Sequence, residues 1–447
     1  MTNVGLSIAA SGVNAAQTAM DTIAENLANA NTPGYVDQTA NLVTSAMSNL
    51  LGVGSGVNVA SVTQANDGLL QANAQQTQAS LSQSTALQQV LQQAQLAFQE
   101  PSSNGLSADL SNFWQSWDQI TSNPTSSAAR QGVVDAAQSV VSDLQQATGQ
   151  LQTTSANAGI QLTSVVKEAN GDLSQLASLN GQIVLAKSTG GSANSLIDQR
   201  NQVMNQLASD IGATAKAQPD GTIQVLVGGV TLVQGTWADS VSLQSTGTGT
   251  QLVAHASQLA LTASSGTTAG LLAAVNQYLP GFQSQLDSVA NSLASLVNSQ
   301  LAAGYTSTGA PGQPLFTGTG AGGLAVNPVV AADPTQIAAA STSSLPAATN
   351  DGSNAQAIAN LYDSPSGPDA TYRNLVQTVG DQVSSANNSV QSNTSLANAA
   401  QQNLQAVTGV NQNNELVSLM NFQQSYQAAA KVLSTMDGAV QSLLNAI

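Results

Sequence analysis

Two apolar stripes, one at each end of the chain, constrain this sequence more than anything else in it. Leu6, Ala9, Val13, Ala16, Met20, Ile23 and Leu27 are spaced three and four residues apart in strict alternation, with Ser, Asn, Gln, Asp and Glu between them. Leu419, Phe422, Tyr426, Ala429, Leu433, Met436, Val440, Leu443 and Ile447 repeat that alternation to the last residue. This is the heptad seam of helices that pack side by side. A lone helix cannot bury such a seam, and chain ends are ordinarily polar and frayed. The two terminal helices are therefore expected to pack on each other, on neighbouring copies of the chain, or on both.

The first seam stops at a corner. Asn29 or Asn31 can end the helix, because Asn tolerates the left-handed conformation. Asn31, Thr32, Pro33, Gly34 and Tyr35 follow. Pro33 and Gly34 suit the two central positions of a type II turn. Tyr35 is then placed just past a rigid corner, its ring folded against the helix end. Taken alone, this is an ordinary helix stop.

Between the seams the chain reads as helix, β insertion, helix. Leu69–Phe98, Gln131–Leu207, Leu271–Leu301 and Tyr372–Val407 carry helical periodicity, and Leu185–Ser195 (LAKSTGGSANS) breaks the second of these as a loop. From Ile211 to Thr262 the helical period ends. PDGTIQVLVGGVTLVQG reads as a β-hairpin turning at Gly228 and Gly229, and further strand candidates follow. Gly304–Pro346 is rich in Gly and Pro and reads as loop with short strands. The fold class is thus mainly α with a β insertion: paired N- and C-terminal helices forming a long coiled-coil-like body, and a smaller mainly-β outer domain. The divisions fall at 1–65 plus 405–447 for a terminal-helix domain, 66–210 plus 265–404 for a helical body, and 211–264 for the β-rich part.

Composition narrows the function. Only 7% of the 447 residues are charged, with 7 Lys plus Arg against 23 Asp plus Glu and a net charge of −16. Phosphate backbones and anionic membranes need clustered basic residues, so neither nucleic acid nor membrane is an expected partner. No apolar run reaches the length of a membrane span, and the N-terminus does not read as a cleaved signal peptide. Cysteine is absent and His255 is the single histidine, in a strand-like stretch where a partly buried structural role is expected. No G-x-S-x-G elbow and no carboxylate cluster of metal-ligand spacing occurs. The expectation is a non-enzymatic chain with no catalytic residue, cofactor or metal. Asp198 and Arg200 in LIDQRN form a candidate ion pair of little energetic weight. Phe113, Trp114, Trp117 and Ile120 fall at helical spacing and read as core, with saccharide binding as the alternative.

Together these segments resemble one family. A helix followed by NANTPGY is similar to the N-terminal signature of bacterial flagellar rod, hook and hook-associated proteins. Leu419–Ile447 resembles their C-terminal helix, with Phe422, Gln423, Tyr426, Ala428 and Lys431 aligned to its motif. FWQSWDQITSNPTSSAARQ, LASLNGQI, SLIDQRNQVMNQLA, PDGTIQVLVGGVTLVQG and LDSVANSLASLVNSQLAAGYTSTGAPGQPLF look like the flagellar hook-associated protein 1 (FlgK) family of hook–filament junction proteins. Two departures stand out: Val36-Asp37-Gln38 where Ser-Arg-Gln is usual, and Asn201 where Asp is frequent.

The resemblance implies a structural protein exported unfolded and self-assembling outside the cell at the distal end of the hook. Its terminal helices would line an inner tube. Its partners would be other copies in a ring or tube, the hook protein, the next hook-associated protein, and an export chaperone at the C-terminal helix. The alternatives are another axial protein, such as a hook protein, or a secreted saccharide-binding protein.

Overall fold

The computed structural model describes residues 2–45, 54–247 and 249–446. Helix α1 (Thr2–Asn29) leads to the corner and to an antiparallel strand pair, β1 (Gln38–Thr44) and β2 (Val57–Gln64). Four helices follow: α2 (Gly68–Gln95), α3 (Leu106–Ser122), α4 (Ser127–Ser188) and α5 (Asn194–Ile211). The β insertion is two antiparallel sheets in sequence order. One holds β3 (Thr214–Ala217), β4 (Ile223–Val227), β5 (Val230–Gln234) and β6 (Trp237–Ala238). The other holds β7 (Val241–Thr246), β8 (Gly249–Ala254) and β9 (Ala260–Leu261). Helices α6 (Gly266–Ala273) and α7 (Leu279–Ala302) return to the body through a π-helical turn, Ala274–Tyr278. The Gly/Pro-rich stretch contains only short pieces: β10 (Phe316–Thr317), α8 (Gly320–Gly323), β11 (Ala325–Val326), α9 (Pro328–Ala332), α10 (Ala347–Asn350) and α11 (Ser353–Ala359). The chain ends in α12 (Pro368–Thr408) and α13 (Gln412–Leu444).

Local chemistry sets the boundaries. Asp67 caps α2, its carboxylate accepting from the backbone of Leu69 and Leu70 at 3.0 Å each. Ser126 does the same for α4, accepting from Ala129 at 3.2 Å. Helix α5 stops at Gly212, whose φ of +66° is the left-handed conformation that ends a helix cheaply only at glycine. Gly228 and Gly229, at φ +56° and +83°, form the two-residue turn between β4 and β5. Both angles positive is the turn geometry whose twist matches a hairpin.

The aromatic stripe on α3 is core. Phe113, Trp117 and Ile120 are fully buried and Trp114 nearly so. Phe113 meets Trp117 edge-on at 6.1 Å between centroids, and Phe316 from β10 lies 5.7 Å away. Trp114 Nε1 donates to Asp369 of α12 at 2.7 Å, and Tyr372 Oη donates to the Phe98 carbonyl at 3.1 Å. With these rings enclosed, the Phe113–Trp117 stripe offers no face to a sugar.

A second core joins elements the sequence divided. Leu173 and Leu176 of α4, Leu207 and Ile211 of α5, Val225, Leu232 and Leu252 are buried in one cluster. The strands are short and exposed on one side, so α4 and α5 supply the other wall of their core. A division at residue 211 therefore runs through a packed interior. Between α2 and α12, buried Ala74 packs with Ala400 and Leu404, and amides add hydrogen bonds: Gln88 and Gln92 both donate to Asn387, and Asn393 donates to Ser80 and Ser84. Such bonds bring helices together without ion pairs, which accounts for part of the low charge.

Candidate assembly interface

Helices α1 and α13 pack antiparallel. A Cβ on Gly5 would meet Met436 Cε at 2.4 Å, a Cβ on Gly12 would meet Ala429 Cβ at 3.4 Å, and Asn26 Nδ2 reaches Glu415 Oε2 at 3.1 Å. Each advance of seven along α1 is answered by a retreat of seven along α13, so the two seams share one heptad register. Small residues on α1 permit the approach. Ala9, Ala16 and Ile23 are buried, whereas Leu6, Val13, Met20 and Leu27 are half-buried. On α13, Leu419, Phe422, Tyr426, Leu433, Met436 and Val440 are all half-buried, and no described residue of that helix is fully enclosed. Leu443 is described by its backbone only, and Ile447 lies outside the described residues. Away from the seam, α13 carries exposed Leu416, Val417, Met420 and Val432, and Leu444 is exposed at its end.

The corner behaves as its sequence suggests. Tyr35 N donates to the Thr32 carbonyl at 3.2 Å, closing a turn over Pro33 and Gly34, and Gly34 has φ +80°. That is type II geometry, with glycine at the position that requires a positive φ. Gln202 of α5 donates to the Pro33 carbonyl at 2.8 Å, so the corner also touches the body. Asn31, Thr32 and Pro33 are themselves exposed.

At the centre of the corner lies Asn26, fully buried and absent from the reading of the sequence. Its Oδ1 accepts from Tyr35 Oη at 2.8 Å and from Gln38 N at 3.0 Å. Its Nδ2 donates to Asp37 Oδ1 at 2.6 Å, to the Gln38 carbonyl at 2.8 Å and to Glu415 at 3.1 Å. One amide thus ties α1, the corner, β1 and α13 together. Asp37, the departure from the usual sequence, is a component of this knot, and its backbone N–H donates to the Thr408 carbonyl at the end of α12. Burial, and then the nearby Glu415 carboxylate, push the Asp37 carboxyl up. Tyr35 is pushed up to about 12 by burial and by Glu25, Asp198 and Asp37, so at neutral pH it is a neutral donor. The available signal for Asn26 was a polar residue three positions after the seam residue Ile23, on the apolar side of the helix.

Three further residues singled out in the sequence have partners of their own. Asp198 accepts from Gln64 of β2 at 2.9 Å, and Arg200 donates to the Gly221 carbonyl at 2.8 Å. Residues two apart on a helix do not face each other, which is why each has its own partner rather than the other. His255 lies past the end of β8 and is exposed, not enclosed in a strand.

The model for the flagellar hook-associated protein FlgK helical domain matches residues 91–316, just over half of the chain. The chain belongs to the flagellar hook-associated protein FlgK family. A flagella basal body rod protein model matches residues 6–35, which are α1 and the corner. The C-terminal model of the flagellar basal body rod FlgEFG proteins matches 400–446, the end of α12 with α13. Flagellar hook-associated protein 1 of Bacillus subtilis (strain 168) is 27% identical over 99% of this chain and 98% of its own length. That of Salmonella typhimurium is 29% identical over 69% of this chain, but the match takes in only 58% of that protein. The flagellar hook junction protein FlgK from Burkholderia pseudomallei has the same fold, at a TM-score of 0.68 and 18% identity, over 76% of this chain and 100% of that one. Within this FlgK-family chain, the segments matched by rod-protein models are the two paired helices and the corner, and the FlgK-model segment runs from the end of α2 to β10, taking in the β insertion.

Proposed function

We propose that this chain is a structural component of the bacterial flagellum that sits at the hook–filament junction and polymerises through its terminal helices. The observation that carries the reading is α13: its inward seam is only half covered by α1, and its outward side displays Leu416, Val417, Met420 and Val432. Large apolar side chains left exposed on a helix that is nowhere fully enclosed mark an interaction surface. Neighbouring copies would complete the cover, making a ring or tube whose inner wall is α1 and α13. The sheets of the insertion and the body would face outward. The hook protein and the next hook-associated protein would stack on the two ends, and an export chaperone would shield α13 before assembly. The assembly residues are those of the seams, with the corner from Asn31 to Tyr35 fixing how the tube meets the body. Export without a cleaved signal and an extracellular location belong to the same reading.

Deletion of the gene tests it. Cells that make hooks but no filaments, and regain filaments when the full chain is supplied, are the expected outcome. Loss of the hook itself would assign the chain to the hook protein's place instead. A tagged chain should be found at the hook–filament boundary of isolated flagella.

A further inference from the structure

Arg200 has a feature that assembly does not use. It is only 7% exposed, one Nη1 donates to the Gly221 carbonyl at 2.8 Å, and its buried Nε has no hydrogen-bond partner. Burial pulls the guanidinium pKa down, yet arginine stays charged in proteins. A buried cation with an unused donor is costly unless an anion answers it. No carboxylate in reach does so. Asp198, two residues earlier, is bonded to Gln64, and Asp220 is spent on Thr222, whose backbone N and Oγ1 both donate to it.

A second cation converges on the same point. Lys187, in the last turn of α4, lies so close to Gly221 that a Cβ there would meet Nζ at 2.4 Å. Gly221 has φ +88°, and the absence of a side chain leaves that space to Lys187, while Arg200 holds the carbonyl of the same residue. Both residues line a cleft of about 840 Å³ between β2, the α4–α5 loop and the β3–β4 turn. The N-terminus of α5 opens into it: residue Ala193 at the cap makes no side-chain bond, and no acid lies in the first turn. Asn194 N has only a long contact of 3.4 Å to Ser192 Oγ. Gly190 and Gly191 donate back to α4 and so leave the anion-binding potential to the α5 terminus.

We infer that this cleft is an oxyanion site, in which Arg200, Lys187 and the N-terminus of α5 together bind a phosphate or carboxylate group. The overall charge of −16 does not forbid it. Screening at physiological salt cuts off charges beyond about 8 Å, so the local charges govern the cleft: Arg200 and Lys187 against Asp67 on its wall and Asp220 beside Lys187. A bound anion would couple α5, which touches the corner through Gln202, to the β3–β4 turn of the insertion. The site is independent of where the chain sits in the flagellum.

The test is thermal unfolding of the full chain in inorganic phosphate, at ionic strength held constant with sodium chloride. A saturable rise in Tm is expected. Lys187→Gln, at an exposed position, should keep the phosphate-free Tm within a degree and weaken half-saturation at least tenfold. Arg200→Gln should abolish the response, and since it can also lower the starting Tm, phosphate binding to it is read separately by calorimetry below its unfolding range. A parallel series in acetate identifies the source: a response to acetate at least as strong as that to phosphate shows that a carboxylate suffices, and a response to phosphate alone assigns the cleft to phosphoryl groups. No saturable response to either anion, or an undiminished response in Lys187→Gln, would overturn the inference.

Discussion

Asn26 concentrates more bonding than any other residue in the corner, and its position explains why the usual sequence can change at 37 without losing the joint. In this chain the acidic side chain of Asp37 accepts from the Asn26 amide, a bond that an arginine could not accept. Replacing Asn26 by Leu removes the partners of Tyr35 Oη and Gln38 N in a buried setting. Each orphaned group costs about 1–3 kcal/mol, so the corner should lose on the order of 3 kcal/mol. Tyr35→Phe, which forfeits a single bond, should cost about 1 kcal/mol. Hydrogen exchange at Gln38 and at the end of α1 reads both, and equal protection in wild type and Asn26→Leu would contradict the account.

Acidity acts at the same scale. Asp198 and Asp210 are both buried, and burial pushes each carboxyl up to about 6 from an ordinary value of 3.8. The folded chain therefore holds these protons more tightly than the unfolded chain does, and stability rises as pH falls through 6. The gain is complete only below the unfolded value near 4, and it is lost as pH climbs above 6. One pKa unit corresponds to about 1.4 kcal/mol, so each group should add about 1 kcal/mol between pH 7 and pH 5. Urea midpoints at the two pH values should differ in that direction, and Asp198→Asn should remove one group's share. A midpoint that falls from pH 7 to pH 5 would be the opposite result.

Among the elements, the pairing of α1 with α13 rests on small residues facing large ones. Gly12 has its prospective Cβ already at contact distance from Ala429, so Gly12→Val drives two further carbons into α13. Overpacking of this kind costs about 1–3 kcal/mol. The variant should release α13 to proteolysis while the aromatic core around Phe113 and Trp117 keeps its near-ultraviolet circular dichroism. Unchanged cleavage of α13 would count against the pairing.

The elements differ in how openly the sequence announced them. The seams were legible because a 3-4 alternation has one physical meaning, and the Gly228-Gly229 hairpin because two adjacent glycines between apolar runs specify a turn. The aromatic stripe read as core for the same periodic reason. The β1–β2 pair was not foreseen. QTANLVT is mostly exposed on both faces, and in VNVASVTQ the alternation of half-buried and exposed residues is broken at Ala60 and Ser61, so neither has the unbroken pattern of a half-buried strand. Their stability comes from α1 instead: Ser11 Oγ accepts from Val57 N at 3.1 Å, and Gly56 leaves room for that hydroxyl. The Asn26 knot was hidden too, because it depends on residues from positions 26 to 415 that only the folded chain brings together.

At the scale of the whole molecule, two large enclosed cores, a small cluster between α2 and α12, and one open helical pair divide the work among the described residues. The cores hold the body and the insertion as single copies, whereas α13 remains half-covered along its length. Assembly should therefore change the environment of α13 far more than that of the cores. The absence of cysteine makes this simple to follow, since one introduced thiol reports without background. Val417, on the outward side of α13 and 53% exposed, is the position to label. Maleimide labelling of Val417→Cys, compared between the purified chain and isolated flagella, tests the central claim most directly. Rapid labelling of the free chain and strong protection in flagella are expected; equal labelling in both would show that α13 is not an assembly surface.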